Sequence, residues 1–159
     1  MTTSVKPIPE GYHSVSPYLV IKNAAAAIEF YKKAFGAKER GRMPGPDGRI
    51  MHAEIQIGDA VVMICDEMPE YGTRSPQTLG GTPVSLFLYV PDVDASFQQA
   101  IAAGAMSTMP VADMFWGDRF GKLADPYGHE WSIATHKEDL THEEIERRGR
   151  EFMSKSAGA

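Results

Sequence analysis

The segment "IMHAEIQI" (50–57) sets a histidine and a glutamate two positions apart, His52 and Glu54, in a run that alternates apolar with polar side chains. In a strand that rises ~3.3 Å per residue, both leave from the same face about 6.6 Å apart. An imidazole and a carboxylate so placed can converge on one ion as ligands, or on one substrate proton as base and orienter. The same spacing equally serves a polar strand face hydrogen-bonded to its neighbours, and the residues alone leave both readings open. In "DPYGHEWSIATH" (125–136), alternation puts Glu130, Ser132, Ala134 and His136 on one face. Glu130 and His136 stand ~20 Å apart along that strand, too far to share an ion, so His136 reads as a strand-end surface residue. No Ser-His-Asp order or activated thiol suggests covalent chemistry. The single cysteine, Cys65, excludes an internal disulfide, and its place in "AVVMICDE" reads as buried and apolar.

The elements that must position these residues come in two copies. "SPYLVIKNAAAAIEFYKKAFGA" and "SLFLYVPDVDASFQQAIAAGA" each run from an apolar strand to a capping residue, Asn23 or Asp92, then through a helix to Gly-Ala. Ala24, Ile28, Tyr31 and Phe35 share one face of the first helix, as Val93, Phe97 and Ile101 do in the second, so both helices back a sheet. Gly36 and Gly104 fit left-handed C-terminal caps. Period-two runs with hairpin turns at "GPDGR", "GD" (58–59) and "DPYG" follow each helix, giving two βαβββ modules. Module one covers about residues 13–66 and module two about 83–136, joined by a turn-rich linker at 67–82 that is long enough to cover a site. The two modules form a single domain, residues 1–140. A C-terminal helix and tail (141–159) opens on the capping box Thr141–Glu144 and carries a thin apolar stripe, Ile145 and Phe152, for the domain or for a second subunit.

With 159 residues, 43% of them apolar, the chain is long enough for one buried core. A net charge of −5 argues against a nucleic-acid or anionic-membrane surface. The leader "MTTSVKPIPEGYHSV" lacks the basic start and apolar core of a signal peptide, and no apolar run reaches the ~20 residues that span a bilayer. A cytoplasmic protein is expected.

The tandem modules, together with "HAEIQIGDAVVMICDE" and "FWGDRFGKLADPYGHEWSIATH", resemble the vicinal oxygen chelate superfamily over residues 13–136. That group includes glyoxalase I, bleomycin-resistance proteins and extradiol dioxygenases, and the chain looks most like its PhnB-like branch. The resemblance implies an α+β fold in which tandem βαβββ modules curve a mixed sheet around a cavity, with helices on the convex side, and a homodimer. In metal-binding members the ligands come from the first and last strands of each module. Those positions fall here on Ser16, Ser85, Ser132 and, depending on hairpin length, Val62 or Met63. A catalytic ion needs about three imidazole, carboxylate or thiolate groups. No metal and no other cofactor is therefore expected.

If the serines face inward, alternation brings Tyr18, Phe87, Tyr89 and Glu130 in beside Ser132. "MFWGDRFG" adds Trp116 and Arg119, whose faces the sequence does not fix. Arg119 reads either as a clamp for an acidic ligand or as half of an ion pair with Asp118 or Asp125. Aromatics with a few polar groups suit a planar or amphipathic organic molecule, though the same rings can instead fill the interior. The expected function is metal-independent binding of a small molecule. The alternative is a lyase, isomerase or oxygenase with a displaced site at His52 and Glu54.

Overall fold

A computed structural model of the chain describes residues 5–158; residues 1–4 and 159, the start of the leader and the last residue of the tail, lie outside it. The βαβββ order occurs twice. The first copy is β1 (Tyr18–Ile21), α1 (Ala24–Phe35), β2 (Lys38–Pro44), β3 (Ile50–Ile57) and β4 (Ala60–Asp66). A 3-10 turn at Pro69–Tyr71 and a short α2 (Pro76–Leu79) lead to the second copy. It comprises β5 (Ser85–Tyr89), α3 (Val93–Ala103), β6 (Met106–Asp113), β7 (Asp118–Ala124) and β8 (Glu130–His136), and α4 (His142–Ser156) follows. Each copy makes one four-stranded mixed sheet, in the orders β1-β4-β3-β2 and β5-β8-β7-β6. The pairs β1/β4 and β5/β8 are parallel, and the other pairs are antiparallel hairpin partners. The chain divides into two compact units, one running to Thr82 and including Pro126–Gly128, the other formed by Pro83–Asp125 and the residues from His129 onward. Among the described residues, no helix is long and apolar enough to cross a membrane.

In the first unit, Ala24, Ala27, Ile28, Tyr31 and Ala34 of α1 are buried, as are Leu19, Ile21, Ile55 and Ile64 of the sheet. Asn23 starts the helix with its side chain accepting from the Ala26 N–H. Its φ of 71° is the left-handed conformation that asparagine tolerates through such local hydrogen bonding. Asp66, at the end of β4, ties the layers together. Its Oδ1 accepts the Ala24 N–H at 2.8 Å and its Oδ2 the Ile50 N–H at 2.7 Å. The segment 67–82 is more ordered than its turn-rich composition suggests, because Glu67 accepts both the Ser75 N–H (2.6 Å) and the Thr78 hydroxyl (2.8 Å).

In the second unit Asp92 caps α3 by accepting the Ala95 N–H at 3.0 Å. Thr135 does for α3 what Asp66 does for α1: its hydroxyl accepts the Val93 N–H and donates to the Val90 carbonyl, both at 2.8 Å. Gly104 ends α3 at φ 120°, outside the left-handed helical geometry that Gly36 adopts at φ 65°. Gly121 lets α3 approach β7; a methyl group there would stand 3.0 Å from both Phe97 and Val111. Gly121→Ala should therefore cost about 1–2 kcal/mol, read as a lower urea midpoint. An unchanged midpoint would show that this contact is not tight.

Helix α4 starts with Thr141 accepting the Glu144 N–H at 3.2 Å. Only half of the expected capping box forms, because the Glu144 carboxylate turns to Arg147 (2.7 Å) and Arg148 (2.8 Å). Gly149 and Phe152 rest on Phe115, with the two rings 5.5 Å apart. Phe152 of its apolar stripe thus meets its own unit while staying half exposed.

Candidate functional site

The open face of the first sheet, away from α1, collects the polar residues of "IMHAEIQI". Strand register sets Tyr18 beside Met63, Met63 beside Glu54, and Glu54 beside Gly41. Met63 pairs with Tyr18 as Ser132 pairs with Phe87, and this selects Met63 rather than Val62 as the counterpart of Ser132. His52 and Glu54 come together: Nε2 of His52 lies 3.2 Å from Oε1 of Glu54. Because a carboxylate only accepts, the neutral ring carries its proton on Nε2 and accepts the Tyr18 hydroxyl at Nδ1, at 2.9 Å. On the other side, the Tyr12 hydroxyl donates to Oε2 of Glu54 at 2.5 Å, and Nε of Arg40 stands 3.9 Å from the same oxygen.

These bonds set the electrostatics. Donation first from Tyr12 and then from His52 holds the Glu54 carboxyl below the usual carboxylate range, against the opposing effect of burial. The same bond to Glu54 raises the Tyr12 phenol above its ordinary value. Burial raises Tyr18 and is also the largest cause of the upward shift of the Cys65 thiol beside it. Glu54 borders two open cavities. One of about 170 Å³ is lined by Arg40–Met43 with His52. The other, about 610 Å³, lies under residues 7–16 and is floored by Ser16, Met63 and Glu54.

On the open face of the second sheet, Ser85 sits beside Glu130, Phe87 beside Ser132 and Tyr89 beside Ala134. The Ser85 and Ser132 hydroxyls are 3.2 Å apart. Phe87 and Tyr89 are half exposed, with ring centroids 4.9 Å apart. Phe120 packs against Phe87 at 5.6 Å and carries Trp116 at 5.3 Å. Trp116 and Tyr89 both donate to Oδ2 of the buried Asp118, at 3.0 and 2.9 Å. His136 meets Oδ1 of Asp118 through Nδ1 at 2.8 Å and Asp139 through Nε2 at 2.9 Å. His136 is the exposed strand end expected, and it also partners these two carboxylates.

Arg119 does not join this group. It alternates with Phe120, so it leaves β7 on the helix side, where Asp94 of α3 takes its Nε at 2.7 Å and its Nη2 at 2.9 Å. Asp113 adds a third contact at 3.2 Å. The ion pair is real but its partners are neither Asp118 nor Asp125. Ser16 also departs from expectation, since it precedes β1 instead of lying in it.

The positions that the family resemblance assigns to metal ligands are Ser16, Ser85, Ser132 and, by strand register, Met63. Three protonated hydroxyls and a thioether do not fit a catalytic divalent ion. Among the described residues no group of three or more His, Cys, Asp or Glu side chains is gathered for one.

Two βαβββ units, each with a parallel outer pair, define the class: a glyoxalase-type fold. The chain belongs to the Glyoxalase/Bleomycin resistance protein/Dioxygenase superfamily, whose pattern matches residues 12–133. It is 48% identical over 136 residues to an uncharacterised protein of Mycobacterium bovis, covering 84% of this chain and 90% of that one. To YjdN of Escherichia coli it is 26% identical over 148 residues, 80% of this chain and 98% of that one. The crystal structure of TioX from Micromonospora aligns with a TM-score of 0.64 at 29% identity, over 78% of this chain and 98% of that one. A PhnB protein from Bacillus cereus, at 20% identity and a TM-score of 0.60 over 77% and 99% of the two chains, shares the fold.

Proposed function

We propose that the protein binds a small organic molecule without a metal, on the open face of its first sheet. The observation that carries this reading is the cavity of about 610 Å³ whose floor holds Ser16 and Met63, two of the four positions that the family resemblance assigns to metal ligands. Its size lies within the range of small-molecule sites, and Ile8, Pro7, Pro9 and Met63 give it apolar walls around the Glu54 acceptor. The aromatic group at Phe87, Tyr89 and Trp116, with Glu130 and Ser132 on the same strand face, supports the same preference for flat, amphipathic molecules in the second unit.

The neutral dye N-phenyl-1-naphthylamine tests this. Saturable uptake, unchanged by a chelator and reduced about tenfold or more when Met63→Trp fills the cavity, is the expected result. Uptake that needs an added divalent ion, or no saturable uptake at all, would overturn the reading.

One observation favours catalysis as a second reading: Glu54 orients His52 through Nε2, as an orienter holds a general base, and a substrate hydroxyl that displaced Tyr18 would meet the basic Nδ1. A stoichiometric divalent ion retained by untagged protein and lost in His52→Ala would move the balance to an enzyme.

A further inference from the structure

Tyr12 belongs to no strand or helix, yet its hydroxyl bonds Glu54 and its ring lies against Arg40 on the open face of the first sheet. We infer that the Glu54–Arg40 pair forms a recognition site for a neutral phenolic ring, and that Tyr12 is the chain's own occupant of it. The inference rests on the ligand-binding reading above and narrows its ligand class.

Three features set the chemistry. Glu54 is a carboxylate, so its occupant must bring a hydrogen-bond donor, and an anion would be repelled. Arg40 holds its guanidinium carbon 4.8 Å from the centre of the Tyr12 ring, which calls for a π face and disfavours a cation. A phenol meets every condition at once, with its hydroxyl on Glu54 and its ring under Arg40. An amine or a carboxylic acid meets only one. The upward shift of the Tyr12 phenol in this position agrees, since the site keeps the hydroxyl protonated.

The segment that carries Tyr12 is lightly attached. The residues around it are mostly exposed, the Tyr12 N–H makes a short turn to the Pro9 carbonyl, and Nε2 of His13 reaches the Asp59 carbonyl at 3.3 Å. A segment with so few buried contacts opens at little cost. As a tethered group, Tyr12 competes with a free phenol at an effective concentration in the millimolar range, and so lowers the affinity of the intact protein. Glu54 borders both cavities, which leaves space for substituents beyond the ring that replaces Tyr12.

The probes are p-cresol and toluene, which match in shape and differ in the hydroxyl, titrated by calorimetry into the full chain. Tyr12→Ala should bind p-cresol about tenfold tighter than the wild type does, and about tenfold tighter than it binds toluene. Adding Glu54→Ala should erase that preference. Equal binding of the two probes by Tyr12→Ala, with the naphthylamine dye still taken up, overturns the phenol assignment while the broader reading survives. Loss of dye uptake in the wild type overturns both. If Tyr12→Ala does not fold, Tyr12→Phe keeps the ring and removes the competing hydroxyl. It should then bind p-cresol several-fold tighter than the wild type, and no gain overturns the proposal.

Discussion

Asp66→Ala is expected to lower the unfolding free energy by about 4 kcal/mol, because two buried backbone donors lose their acceptor and each orphaned group costs ~1–3 kcal/mol. The donors are the N–H of Ala24, at the start of α1, and the N–H of Ile50, at the start of β3. Both residues are buried, so water does not replace the carboxylate cheaply. Asp66→Asn keeps one carbonyl oxygen and turns an amide toward the other donor, so it should recover no more than half of the loss. Urea unfolding at neutral pH reads both effects as a lower midpoint. A loss below about 1 kcal/mol for Asp66→Ala would show that the two bonds do not hold helix and sheet together.

The second large effect is expected at Asp118, where alanine should cost about 2 kcal/mol by leaving the Tyr89 and Trp116 donors without their carboxylate. It should also change how stability responds to pH. His136 lies between Asp118 and Asp139, one on each ring nitrogen. Carboxylates only accept, so satisfying both requires the doubly protonated ring. The bond to Asp118 is the larger cause, and that to Asp139 the second, of a His136 pKa raised above its ordinary value. A value raised on folding gives stability that is complete below the unfolded pKa of about 6.5 and fades as pH rises through the folded one. The His136 ring protons, followed by NMR, should therefore titrate at a higher pH in the wild type than in Asp118→Ala, where Asp139 alone still favours the charged ring. An unchanged midpoint would remove Asp118 as the cause.

How far the site was legible depends on how local its contacts are. Asp118 and His136 lie opposite each other, each seven residues out from a five-residue turn, 125–129, in which the Asp125 N–H donates to the His129 carbonyl; counting from "DPYG" alone would have set Asp118 against Thr135. Reading β8 alone placed His136 correctly at the strand end but did not supply its partners Asp118 and Asp139. Arg119 remained ambiguous because the irregular "MFWGD" stretch does not reveal the phase in which β7 begins, and the phase decides which of Arg119 and Phe120 faces α3. Tyr12 left no periodic signal, since it bonds Glu54 across 42 residues from a segment without regular structure.

The sequence by itself determined the order of elements, the doubled βαβββ plan, and the caps at Asn23 and Asp92. Each follows from periodicity, turn chemistry or residue type, which act over a few neighbouring residues. Only the tertiary structure decided that Met63 stands between Tyr18 and Glu54, that Arg119 binds Asp94 on the helix side, and that Tyr12 closes on Glu54. Those outcomes depend on strand register and on where an irregular segment settles, and both are set by contacts between residues far apart in the chain.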